Sequence, residues 1–330
     1  NTTGAENTAV GTNALLLNTT GNYNVAVGVG VLDKNTTGAN NVGMGINALG
    51  RNISTSNNTA IGASTLSVNV ADNNTAVGST ALTANTTGAG NTAMGVDALA
   101  NNTTASNNTA IGQNALIANT TGASNTAVGY GAMIANTTAT GNTAVGKFSL
   151  YTNTTGTGNT AIGDGVSYSS NANYNTGVGT LVLHNNTGAN NTGVGANALT
   201  ANTTGSSNVA IGMVALTANT TGVGNNAMGS DALASNTTGT ENTGIGHIAL
   251  MDNTTGGYNT AIGSSALENN TTASNNVAVG TAALKANTTG GKNTAVGKGA
   301  SQVNTTGYHQ TAIGYHALNQ CTTGQENTAV

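Results

Sequence analysis

Apolar and polar residues follow one repeating pattern along the whole chain. Each unit reads Asn-Thr-Thr-Gly-x-x-Asn-Thr-Ala-Val/Ile-Gly-x-x-Ala-Leu-x-x, and we number its positions 1 to 17 from the first Asn. The Gly of position 11 recurs from Gly11 to Gly314 at intervals of 17 residues, or of 16 at three places. This period is too short for a pair of helices and favours one coil of a β-solenoid per unit. We therefore predict an all-β, parallel β-solenoid (β-roll) with about 19 coils of 16–17 residues, forming a single continuous repeat array over 1–330.

A short strand is predicted around positions 8 to 10, where β-branched residues are concentrated. Position 10 is always Val, Ile or Met, and position 8 is Thr or Val in nearly every unit. Residues two apart lie on the same side of a strand. We interpret this side as the inside of the coil, with the Leu of position 15 filling the core from the opposite strand.

Position 9, between these two, holds only Ala or Gly. One explanation is a steric demand inside the coil, and the other is a close contact with another chain. We favour the second, because two buried aliphatic side chains per coil offset little of the entropy lost when 17 residues become ordered. The predicted interchain face of small residues comprises Ala9, Ala26, Gly43, Ala60, Ala76, Ala93, Gly177, Gly193 and Gly244.

Asn occupies position 7 in every unit except at Gln310, and stacked Asn side chains can form amide ladders. The Asn-Thr-Thr-Gly segment absorbs the changes in unit length, so we expect it to be an outer loop. Asn-Thr-Thr is also a sequon for N-glycosylation, although a plain turn motif would meet the same pattern. The candidate glycosylation sites are Asn1, Asn18, Asn35, Asn85, Asn102, Asn119, Asn136, Asn153, Asn202, Asn219, Asn236, Asn253, Asn270, Asn287 and Asn304.

Composition narrows the class of protein further. The chain has 48 Gly, no Pro, no Trp, 5% charged residues and a net charge of −4. A low net charge with 37% hydrophobic residues is unlike ordinary disordered chains. Six Lys and Arg residues argue against a nucleic-acid partner, and no apolar run is long enough to predict membrane insertion as a helix. The absence of Pro fits stacked strands in which every backbone donor is needed.

Residues that could carry chemistry are scattered. The four His and ten Asp or Glu residues do not recur at a fixed position of the unit. Paired acids and converging metal ligands are therefore not expected, and we predict no catalytic residue, no metal site, no cofactor and no enzymatic activity. Cys321 replaces the Asn of position 1 and is the single Cys, so it has no intrachain disulfide partner. An interchain bond or a reactive thiol is the alternative to an incidental substitution.

The segment Asn-Thr-Ala-Val/Ile-Gly-x-x-Ala-Leu, seen at Asn7–Leu15 and Asn259–Leu267, resembles the head repeats of trimeric autotransporter adhesins. It is still more similar to the longer repeats of bacterial and phage tail-fibre-like proteins. The resemblance implies a left-handed parallel β-roll in which three chains lie side by side, with small residues at their contact. The present unit is longer than that of the adhesins, and the extra residues are the Asn-Thr-Thr-Gly segment.

These observations together predict a structural or adhesive extracellular or cell-surface fibre that self-associates as a homotrimer or an end-to-end filament. Surface glycans are the candidate ligands, and attached glycans the candidate modification. An ice-binding β-solenoid with Thr ranks and a phage tail-fibre shaft are the alternatives. Neither end of the sequence shows a capping unit, so we interpret the chain as a segment of a longer fibre.

Overall fold

The computed structural model describes residues 1–167 and 171–330. The chain divides into two compact units, Asn1–Gly165 and Val166–Val330, and the same coil recurs in each. Throughout the described residues the regular elements are short β-strands, and none is a helix. The predicted all-β parallel solenoid is confirmed. The left-handed winding and the single array over 1–330 stay predictions.

Each coil contributes one strand of two or three residues. The strands of the first unit are β1 (Thr8–Val10), β2 (Val25–Val27), β3 (Val42–Met44), β4 (Thr59–Ile61), β5 (Thr75–Val77), β6 (Thr92–Met94), β7 (Thr109–Ile111), β8 (Thr126–Val128), β9 (Thr143–Val145) and β10 (Thr160–Ile162). The strands of the second unit are β11 (Thr176–Val178), β12 (Thr192–Val194), β13 (Val209–Ile211), β14 (Asn226–Met228), β15 (Thr243–Ile245), β16 (Thr260–Ile262), β17 (Val277–Val279), β18 (Thr294–Val296), β19 (Thr311–Ile313) and β20 (Thr328–Ala329).

Within each unit, every strand pairs in parallel with the strand of the next coil, so that identical positions lie opposite each other. Thr8 is opposite Val25, for example, and Ala9 is opposite Ala26. The register survives a shorter coil, since Thr59 still pairs with Thr75 across an interval of 16 residues. A residue lost from the loop therefore leaves the ladder intact.

The strand ends at position 11 because the backbone there adopts a conformation that only Gly reaches easily. The φ angles at this position lie between +118° and +140°. A β-carbon built on Gly263 would also lie 2.7 Å from the carbonyl carbon of Gly280 in the next coil. The positive φ explains why position 11 is Gly in every coil, because a β-carbon would meet backbone at least as closely at position 4, where Ala occurs.

After the strand, two residues with left-handed backbone conformation turn the chain back across the coil. In the first coil they are Asn13, with φ of 60°, and Leu15, with φ of 53°. A left-handed conformation costs a Leu about 1–2 kcal/mol. Burial of its side chain is worth about 1.5–3 kcal/mol, which offsets this cost. Leu32, Leu49 and most of their counterparts at position 15 are fully buried, as predicted, but they lie in a turn and not in the predicted second strand of the coil.

The predicted orientation of the strand is wrong. Ala26 at position 9 is fully buried, whereas Ile111 at position 10 is 38% exposed. The reason is that the side chain of Asn24 at position 7 is itself buried. Side chains alternate along a strand, so an inward position 7 places position 9 inside the coil and positions 8 and 10 outside.

The interchain face of small residues is consequently also wrong as a prediction. Its members Ala26, Gly43, Ala60, Ala76, Ala93, Gly177, Gly193 and Gly244 are buried inside their own coils, and only Ala9 in the first coil is exposed. The steric explanation for position 9 is the one that the structure supports.

Three of the four Gly residues at position 9 face a Val at position 14 of the preceding coil, where other coils mostly have Ala. These pairs are Val31 with Gly43, Val166 with Gly177 and Val182 with Gly193. A β-carbon on Gly193 would lie 2.5 Å from Cγ1 of Val182. The interior therefore has room for two Ala residues, or for one Val and one Gly.

Candidate functional site

Two columns of buried Asn side chains run along the coils of each unit. In the column of position 1, Asn35 Nδ2 donates to Asn18 Oδ1 at 2.8 Å and to the carbonyl of Gly38 at 3.0 Å. In the column of position 7, Asn24 Nδ2 donates to the same Gly38 carbonyl at 2.9 Å. The carbonyl of position 4 thus joins the two columns, and the Asn amides satisfy the buried polar groups of the turn.

Position 4 does not require Gly for this role. Ala105 occupies it in one coil, where its carbonyl accepts from Asn91 Nδ2 at 2.9 Å and from Asn102 Nδ2 at 3.0 Å. No Gly of position 4 appears among the described residues with positive φ, which agrees with the occurrence of Ala there.

All but one of the candidate glycosylation sites are buried in the folded chain. Fourteen of them, Asn18, Asn35, Asn85, Asn102, Asn119, Asn136, Asn153, Asn202, Asn219, Asn236, Asn253, Asn270, Asn287 and Asn304, are at most 2% exposed. Their Nδ2 atoms, to which a sugar would be attached, are the donors of the buried column. Only Asn1 is exposed. The Asn of the sequon thus lies inside the coil while Thr of position 3 lies outside, and glycosylation of these fourteen residues stays a prediction.

The outward residues of positions 8 and 10 form a surface that we call the outer strand face. Position 10 is partly exposed in every coil. The side chain of Ile245 is 36% exposed, for example, and that of Met228 is 43% exposed. It is nevertheless Val, Ile or Met throughout the sequence, and neither position 8 nor position 10 ever carries a charge. Along the ladder of each unit the face thus carries Val, Ile or Met at position 10 and mostly Thr at position 8, and water reaches it in a single chain.

Sequence reasoning missed this face because it took the interchange of Thr and Val at position 8 as a sign of the core. The signal that could have found it is the nearly invariant Asn of position 7. An Asn that forms a ladder is buried, and alternation from a buried position 7 assigns positions 8 and 10 to the outside.

Potential metal ligands do not cluster in the described part of the chain. Over residues 1–167 and 171–330, no group of three or more His, Cys, Asp or Glu residues could hold a metal ion. Cys321 stands in the column of position 1, where its Sγ accepts from Gln310 Nε2 at 3.5 Å and from Asn327 Nδ2 at 3.6 Å. Its thiol therefore takes the acceptor place of the missing Asn.

The described part of the chain also lacks a helix long and apolar enough to cross a membrane. No model of a known protein family matches the sequence, and no curated protein matches it. The repetitive β-solenoid itself is typical of structural proteins.

Proposed function

We propose that the chain is a structural and adhesive extracellular fibre, without catalysis, whose copies associate side by side through the outer strand face. One observation carries this proposal. Position 10 is partly exposed in every coil, yet it is always a branched aliphatic residue or Met. Other exposed positions, such as position 6 with Glu6, Tyr23 and Lys292, vary in size and charge.

A second copy of this chain is the partner that fits the face best. Its coils repeat at the same strand spacing of about 4.8 Å, so residues can meet at every rung without drifting out of register. The net charge of −4 over 330 residues gives little repulsion between copies. The contact would remove the Val, Ile and Met side chains from water, which is the usual driving force of association.

The area of the face is adequate for a specific contact. Ten strands at about 4.8 Å, with a face about 10 Å wide, give roughly 500 Å² on one unit. Two such faces bury roughly 1,000 Å² in total, which is near the lower limit for a stable interface. Association should therefore strengthen as more coils take part.

Sedimentation velocity over a range of concentrations tests this proposal. We expect oligomers of the wild-type chain, and a loss of at least about tenfold in association constant for Ile111→Lys, because a buried unpaired charge is costly. Gln113→Lys is the matched control, since it adds the same charge at an exposed position 12 of the same coil. A monomeric wild-type chain, or equal weakening by both substitutions, would contradict the proposal.

The extracellular location is supported by the resemblance of Asn7–Leu15 to adhesin head repeats. Antibodies against the chain should label the surface of intact source cells. Labelling that requires permeabilised cells would refute this part of the proposal.

An ice-binding solenoid is the second candidate, and the orientation of position 8 favours it. Thr92, Thr109, Thr126 and their counterparts point outward from consecutive strands, so they form a regular rank of hydroxyl groups about 4.8 Å apart. Thermal hysteresis of the purified chain decides between the candidates. A freezing-point gap that Thr109→Lys reduces would support ice binding, and no gap would remove it.

A further inference from the structure

A groove of about 530 Å³ opens on the surface of the second unit, across three consecutive coils. Gly291 lies at its floor, between Ser274 and Tyr308, which occupy the same position 5 in the coils before and after. Because Gly291 has no side chain, the floor is bare backbone, and a β-carbon there would lie 3.0 Å from the carbonyl oxygen of Ser274. The groove exists because Gly291 at position 5 of one coil is followed by the larger Tyr308 at position 5 of the next coil.

The ring of Tyr308 forms one wall of the groove and is held in place at two points. Its hydroxyl donates to Gln325 Oε1 at 2.7 Å. Its ring also meets the ring of His309 edge to face, with centroids 5.2 Å apart and an angle of 82° between the planes. The side chain is 40% exposed, so a fixed aromatic surface is presented to the groove.

Apart from Ala273 and Gly291, the remaining side chains of the lining are polar, and the charge of Lys292 among them is positive. Lys292 is exposed and takes part in neither of the ion pairs found among the described residues, which are Lys34 with Asp33 and Lys285 with Glu268. No carboxylate lines the groove, although Glu326 follows His309 at position 6 of the next coil.

Hydroxyl and amide groups complete the lining. Thr289 and Asn275 are exposed at the groove, and both can donate and accept hydrogen bonds. An aromatic face carries partial negative charge and attracts the C–H groups of a sugar ring. Pockets of this size, with an aromatic wall and a few polar groups, suit a small ligand.

We propose that this groove binds a pyranose that carries an acidic group. The apolar face of the sugar lies on Tyr308, its hydroxyl groups bond to Thr289 and Asn275, and its carboxylate pairs with Lys292. The proposal rests on the adhesive part of the proposed function, and it supplies the class of ligand. It does not depend on the outer strand face, because the groove is built from positions 3 to 6 of the coil.

Calorimetric titration of the full chain with methyl glucuronide and methyl glucoside tests the proposal, because these probes differ only in the carboxylate. We expect the wild-type chain to bind the glucuronide at least about tenfold more tightly than the glucoside, since a charge-assisted hydrogen bond is added. Lys292→Gln should remove this preference, and Tyr308→Ala should weaken binding of both sugars.

Gly291→Thr provides a variant that keeps Tyr308 and Lys292 but fills the floor. Thr240 occupies the same position 5 in another coil, so the fold accommodates this residue. We expect Gly291→Thr to abolish binding, and Arg51→Gln, which removes a positive charge in the first unit, to leave it unchanged. No binding of either sugar by the wild-type chain, or equal effects of Arg51→Gln and Lys292→Gln, would overturn the proposal. Sedimentation of the same samples reports association separately, so the two proposals fail independently.

Discussion

The paired occurrence of Val and Gly inside the coil leads to a quantitative prediction about stability. A β-carbon added at Gly193 would approach Cγ1 of Val182 to 2.5 Å, about 1 Å closer than an ordinary contact. Overpacking of this kind costs about 1–3 kcal/mol. We therefore expect Gly193→Ala to lower the free energy of unfolding by about 2 kcal/mol.

The second step of the cycle is Val182→Ala, which removes two buried methyl groups. The lost transfer free energy and the residual cavity together cost about 2 kcal/mol. The double variant restores the arrangement of Ala198 and Ala210, in which both positions are Ala and fully buried. It should lie within about 1 kcal/mol of the wild-type chain, so that the coupling energy is about 3 kcal/mol.

Equilibrium unfolding in urea, followed by circular dichroism, measures all four members of the cycle. Gly244→Ala is the control, because Gly244 has no Val opposite and an added β-carbon would lie 3.2 Å from the Ala249 carbonyl oxygen and 3.3 Å from Leu233 Cγ. Its effect should stay below about 1 kcal/mol. If the two single substitutions were additive in the double variant, the interior would not be limited by this pair and our explanation of position 9 would be refuted.

Three further predictions concern the Asn column and the turns. Asn242→Ala should cost about 3–5 kcal/mol in urea unfolding, because its side chain donates to Asn225 Oδ1 and the Gly256 carbonyl and accepts the backbone N–H of Asn259; the exposed Asn101→Ala should change stability by less than about 0.5 kcal/mol. Gly263→Ala should prevent or strongly reduce folding, because φ at Gly263 is +130°, whereas Gly256→Ala should cost less, because Gly256 has no positive φ and only the Ala273 carbonyl and the Asn253 amide have to shift; equal expression and melting temperatures would contradict this. Val214→Asn should raise the free energy of unfolding by about 1 kcal/mol, because Val214 has a φ of 63°, a conformation that Asn adopts more easily; an unchanged or lower stability would argue against backbone strain at position 13.

The solenoid could be predicted from the sequence. So could the burial of a position whose residue type has only one chemical explanation. Leu of position 15 is apolar in nearly every coil, and it is buried. The orientation of the strand was not predictable from residue type alone. In a strand of three residues such as Thr-Ala-Val, residue type allows either the central Ala or the two flanking residues to face the inside of the coil. The residues around the strand decide which of its positions face inward. Asn24 is buried before the strand, and the Val182 and Gly193 pair shows that the interior is too narrow for larger side chains.

The candidate site illustrates the same limit. The sequon was recognisable at Asn35, but a sequence pattern does not report that Nδ2 of this residue is already bound to Asn18 and Gly38. The groove beside Tyr308 was equally hidden, because it results from the order of Ser274, Gly291 and Tyr308 along a column of coils. Residues 17 apart become neighbours in the solenoid, so such sites appear when the sequence is aligned on its own period.

The hydrogen bonds of the two Asn columns also give each unit a direction along its stack of coils. Every amide bond within a column points the same way, as when Asn35 donates to Asn18 and Asn242 donates to Asn225. The backbone bonds between coils run both ways, as shown by Thr8 donating to Asn24 and Gly28 donating to Val10. The backbone bonds therefore use both directions, whereas the Nδ2–H groups of a column all point toward the N-terminal coil. Each column is consequently polar, with its Nδ2 groups directed toward the N-terminal coil and its Oδ1 groups toward the other end of the unit.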